Sequence, residues 1–120
     1  MSKPVILLDL RKYRIRIHRQ TLHLLGNPKH VVLLVNPETR SIAVCCCSKS
    51  DPLAHHIDWN TLDGKQSCEI YSMSFVKTLL GLRPELSSTG SYRIDGVLTS
   101  DNCVAKFSLD DIVQLTQQGD

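Results

Sequence analysis

Over residues 11–18 apolar and polar positions alternate: Tyr13, Ile15 and Ile17 fall on one side of an extended chain, Lys12, Arg14, Arg16 and His18 on the other. Period two with β-branched and aromatic residues predicts a half-buried strand whose outward side carries three fixed positive charges. Upstream, Val5, Ile6, Leu7 and Leu8 predict a strand that starts just past Pro4. Downstream, Leu22, Leu24 and Leu25 suit a helix of about two turns over residues 20–25. Gly26 is placed to end it in a left-handed cap, and Asn27-Pro28 keeps it from continuing. Residues 31–35 form an apolar strand, and Asn36-Pro37-Glu38-Thr39 reads as a turn with proline at its second position. Residues 41–47 return as the hairpin partner.

The second half repeats this order. Residues 48–52 are polar and mark a junction, residues 51–59 predict a short helical turn, and Asp63-Gly64 marks a reversal. A strand starts near Ser67 with Cys68, Ile70 and Ser72 on one side. Ser74 is the expected N-cap of a helix with the apolar stripe Phe75, Val76, Leu79 and Leu80, closed by Gly81. A polar loop over 82–91 leads to a strand at 92–98, a turn at Ser100-Asp101-Asn102 and a strand at 103–107. Ser108-Leu109-Asp110-Asp111 resembles a capping box and predicts a short helix over 109–114, with the last residues expected to fray. Ile15 and Gly26 bracket a stretch ending Leu24-Leu25-Gly26. Ile70 and Gly81, 55 residues later, bracket one of equal length ending Leu79-Leu80-Gly81. A repeated unit implies that its copies pack together. The chain therefore reads as one domain over 1–120, with β-α-β-β units at 11–47 and 67–107 and a C-terminal helix and tail at 108–120.

These residues carry a family resemblance. Arg14-Ile15-Arg16-Ile17-His18, a short helix ending Leu25-Gly26 and a following hairpin resemble the swapped-hairpin unit of the AbrB transition-state regulators. Two units in one chain resemble the MraZ group of that superfamily. The resemblance implies an α+β, β-rich fold in which duplicated units build a swapped-hairpin barrel, and a DNA-binding transcriptional regulator. His18 stands where that family has proline, and Ser72 where the second unit should be apolar.

Charge sharpens the functional reading. Residues 1–50 hold nine Lys or Arg against Asp9 and Glu38, whereas residues 51–120 hold five against ten acids. Such asymmetry points to an anionic partner for the first half, or to contact between basic and acidic halves. Lys12, Arg14, Arg16, His18, Arg19 and Lys29 are the candidate contacts to duplex phosphates, because Lys and Arg that displace counterions supply most nucleic-acid affinity. Glu69 occupies the place of Arg14 in the second unit and Tyr71 that of Arg16, so only one unit is suited to phosphate. The alternative is a protein-interaction or assembly module, a homo-oligomer or a binder of an acidic protein, that uses the opposed halves.

Other chemistry finds little footing. Cys45, Cys46 and Cys47 alternate faces on a strand, and His55 and His56 stand nearby without CxxC or HxxxH spacing. No metal site and no cofactor is expected. No glycine pattern cradles a phosphate and no nucleophile motif is present, so no enzyme activity is expected. The apolar runs are too short to span a bilayer, and the first residues lack the apolar region of a signal peptide, which gives a cytoplasmic expectation.

Overall fold

Strand β1 (Val5–Asp9) opens after Pro4 and pairs antiparallel with β2 (Arg14–His18), setting Ile6 opposite Ile17 and Leu8 opposite Ile15. The computed structural model in which these pairings are seen describes residues 3–115. All four isoleucine and leucine side chains are buried, as the alternation requires. Between the strands, Leu10–Lys12 form a 3-10 turn closed by Tyr13 in the left-handed region at φ 53°. Tyr13 thus leaves the strand face expected for it and stands partly exposed at the turn.

Helix α1 (Arg19–Leu24) follows directly. Gly26 adopts φ 84°, its N–H donates to the His23 carbonyl, and the Asn27 N–H donates to that of Leu22. This is the left-handed cap expected from Leu25-Gly26. β3 (His30–Asn36) and β4 (Ser41–Cys46) form the hairpin, with Asn36 Oδ1 accepting from the backbone of Glu38 and Thr39 in the turn. The short strand β5 (His55–His56) then pairs with β3, where only a helical turn was expected. Helix α2 (Trp59–Leu62) is capped by Asp58, which accepts from the N–H groups of Asn60 and Thr61.

β6 (Ser67–Tyr71) pairs antiparallel with β2, with Ile15 opposite Ile70. Helix α3 (Met73–Leu82) is capped by Ser72 rather than Ser74: Ser72 Oγ accepts from the Phe75 N–H at 3.2 Å. Gly81 lies inside this helix instead of closing it. Leu82 continues the apolar stripe three residues past Leu79 and packs on the core, which carries the helix beyond the glycine. The expected strand at 92–98 divides at Gly96 into β7 (Ser91–Asp95) and β8 (Val97–Leu98), which join different sheets. A Cβ at Gly96 would meet the Lys106 carbonyl and lie 2.5 Å from Phe107 Cδ2, so only glycine passes there. β9 (Val104–Ser108) follows.

The expected C-terminal helix is a single 3-10 turn, Leu109–Asp111, capped by Ser108 Oγ. Ile112 turns extended, and β10 (Val113–Gln114) instead covers the edge of β7. The tail expected at 116–120 lies outside the described residues.

The result is a compact, β-rich α+β fold of two five-stranded antiparallel sheets. Sheet I runs β10-β7-β1-β2-β6 and sheet II runs β5-β3-β4-β9-β8; they do not close into the expected barrel. The core draws on both sheets and the helices, with Ile6, Ile17, Leu22, Ile42, Leu79, Ile94 and Phe107 fully buried. Among the described residues no helix is long and apolar enough to cross a membrane.

Candidate interaction surfaces

The cation stripe lies on the outer face of sheet I. Ile15 and Ile17 point to the core, so Arg14, Arg16 and His18 point away from it. The register of β1 and β6 brings acids to the same face, with Asp9 opposite Arg14 and Glu69 opposite Arg16. Arg14 is only 8% exposed, a correction to its expected solvent-facing position. Its Nη2 donates to Asp9 Oδ2 at 2.7 Å and its Nη1 to Glu69 Oε2 at 3.1 Å. Burial alone would push this guanidinium down, but the Asp9 hydrogen bond, the nearby Tyr71 hydroxyl and the two carboxylate charges together outweigh it and hold it above its ordinary value. Arg16 Nε lies 3.6 Å from the same Glu69 oxygen, just beyond hydrogen-bonding reach.

The rest of the stripe disperses. His18 is half-buried, and burial followed by the nearby Arg93 charge pushes its imidazole down, with Asp95 opposing. Lys12 stands exposed in the turn before β2, Arg19 opens α1 at the strand's other end, and Lys29 is exposed in the loop before β3. The structure therefore brings Arg14, Arg16 and His18 onto one face and leaves Lys12, Arg19 and Lys29 on other elements. Basic and acidic halves also meet at Arg40–Asp110. Part of the charge asymmetry is thus matched inside the molecule.

The outer face of sheet II has the opposite character. Leu34, Ala43, Lys106 and Val97 form one row across β3, β4, β9 and β8, and Val32, Cys45 and Val104 form the next. Leu34 is 45% exposed and Val97 63%. A sheet face open to solvent is ordinarily polar, so one cation among these seven side chains is unusual. Val32 is itself buried, and the row beyond Leu34, formed by Asn36, Ser41 and Ser108, is polar. One clue lay in β3, which is apolar on both sides as in strands covered on both faces; its outward Val32 is buried, whereas Leu34 is left open to solvent.

The free margin of β6 borders a third feature, an open groove of about 610 Å³ between the edges of the two sheets. His56, Thr61 and Leu62 form one wall, and Cys68, Glu69 and Tyr71 the other.

The cysteines separate as a strand dictates. Cys46 points inward and its Sγ donates to the Leu25 carbonyl at 3.3 Å, while Cys45 belongs to the outer face. Burial pushes the thiols of Cys45, Cys46, Cys47 and Cys68 up, away from the reactive thiolate. Among the described residues no three His, Cys, Asp or Glu side chains gather where a metal ion could be held. Comparison with protein-family models, curated proteins and solved structures finds no match to this chain.

Proposed function

We propose that this protein is an interaction and assembly module that pairs with a second copy of itself through the outer face of sheet II. The observation that carries this reading is the apolar surface formed by Leu34, Ala43, Val97 and their neighbours around the single charge of Lys106. A partner for such a face must itself be flat, apolar and nearly uncharged. The same face on another copy meets that requirement, and a two-fold pairing closes after two subunits. Sedimentation velocity across a concentration series tests it: the protein should shift from monomer to dimer, and Leu34→Asp/Val97→Asp should remain monomeric with unchanged circular dichroism. A wild-type chain that stays monomeric at every concentration contradicts it.

Duplex DNA, implied by the family resemblance, is less favoured because Arg14 is enclosed by carboxylates and cannot release counterions from phosphate. Salt-sensitive binding of mixed duplex that disappears in Lys12→Ala/Arg19→Ala/Lys29→Ala would restore it.

The duplicated, swapped-hairpin arrangement also belongs to this proposal. Ile15 and Ile70, equivalent in the two units, lie opposite each other in the β2–β6 pair. β1, before the first unit, pairs with β7 of the second, and β5, before the second unit, pairs with β3 of the first. Reciprocal exchange of this kind supports two copies related by an internal two-fold axis. A chain already built from paired copies offers its outer faces for further assembly.

A further inference from the structure

β6 is an edge strand without the usual protection. Ser72 N–H donates to the Tyr13 carbonyl and Arg19 N–H to that of Gln66, which fixes the alternation of the β2–β6 ladder. Counting inward from both bonds, Cys68 and Ile70 spend their backbone groups on β2, and those of Ser67, Glu69 and Tyr71 point the other way. Among the described residues no strand lies on that side. Edge strands are ordinarily blunted by proline, a bulge or an unopposed charge. β6 has no proline, its pairing with β2 is unbroken over all five residues, and its one charge is balanced by Arg14 and Arg16.

We infer that the β6 edge binds an extended peptide segment by strand addition, with the segment lying in the groove between β6 and α2. This surface is separate from the outer face of sheet II, so either proposal can fail alone. The neighbouring rows define the ligand. Inward positions continue the rows Ile17–Cys68 and Ile15–Ile70, and call for apolar side chains. The outward position beside Glu69 continues a row in which Arg16 stands on the other side of that acid. Both arginines approach Glu69 Oε2, and Oε1 has only a 3.4 Å contact from Tyr71 Oη. A lysine or arginine there would bond the remaining oxygen. The ligand class is therefore an extended segment of the form apolar–basic–apolar, held by backbone bonds and read by alternate side chains. A second copy is a poorer occupant, because symmetric β6–β6 pairing through all three free residues sets Glu69 opposite Glu69 and leaves each Oε1 without a basic partner.

The probe is a fluorescein-labelled peptide, Thr-Ile-Lys-Val-Thr flanked by Gly-Ser, titrated with the full chain by anisotropy. Two controls accompany it: the same peptide with glutamate for lysine, and a version N-methylated at alternate residues on the bonding side. Binding is expected for the lysine peptide and absent for the N-methylated one. The glutamate peptide should bind roughly tenfold more weakly, the effect of one charge-assisted hydrogen bond. Ser67→Pro removes one free-edge N–H without touching a ladder bond or Glu69, and should weaken binding roughly fivefold. Leu34→Asp/Val97→Asp should bind the peptide as the wild type does. Equal binding of methylated and unmethylated peptides, or none of either, overturns the inference. Self-association abolished by Ser67→Pro would overturn it in favour of β6–β6 pairing.

Discussion

Arg14 shows how one residue type carries different meanings at different depths. On an exposed strand it would be a phosphate contact. Here it is enclosed between Asp9 and Glu69 on the outer face of sheet I, and its removal would leave two acids uncompensated on a partly buried face. Arg14→Ala should cost about 2 kcal/mol in urea denaturation, below a fully buried pair because Glu69 is partly solvated. Arg93→Ala removes a pair exposed on both sides, Arg93–Asp95, and should cost at most about 0.5 kcal/mol. Equal losses would mean that Arg14 is not the structural ion. His18 and His55 make stability depend on pH. Burial pushes both imidazoles down, so the unfolded chain takes up protons before the folded one. Their contribution is complete above the ordinary imidazole range and is lost as pH falls through it. The melting temperature should therefore drop between neutral and mildly acid pH, and His18→Gln/His55→Gln should flatten that drop. An unchanged slope would assign it to other groups.

At the scale of elements, two glycines that look alike in sequence should behave oppositely. Gly81 is an exposed position within α3 with open space where a Cβ would stand, so Gly81→Ala should stabilise by about 0.5–1 kcal/mol. Gly96 passes against the Lys106 backbone and Phe107, so Gly96→Ala should cost about 1–3 kcal/mol. Thermal melts of both variants check the pair, and a destabilised Gly81→Ala would restore the cap read from Leu80-Gly81. These positions also show what periodicity could convey. The Leu25-Gly26 cap and the Asn36 turn are local and appeared where the pattern placed them. The alternation read over 11–18 became a strand only from Arg14, because Leu10–Lys12 turn and Tyr13 closes that turn in the left-handed region. The break at Gly96 is set by β9, a strand distant in sequence, and no local pattern encodes that contact. The 109–114 segment failed for a similar reason: the uncovered edge of β7 recruits Val113 and Gln114 as a strand despite a valid cap at Ser108.

For the whole molecule, the sequence showed which residues were charged but not which charges would meet. Glu69 is 55 positions from Arg14, and only the β2–β6 register brings them together. The basic first half therefore looked like a surface for an outside anion when part of it serves the internal joint. The apolar face was hidden differently, because its seven residues are scattered over four strands and converge only after β4 pairs with β9. If this face drives assembly, association should behave as apolar burial rather than as charge pairing. Sedimentation equilibrium at low and high sodium chloride decides between them most directly. Dimerisation that holds or strengthens as salt rises, and vanishes in Leu34→Asp/Val97→Asp, is the predicted result. A dimer that dissociates with salt and survives that double substitution would rule out the sheet II face and return assembly to the opposed charges of the two halves.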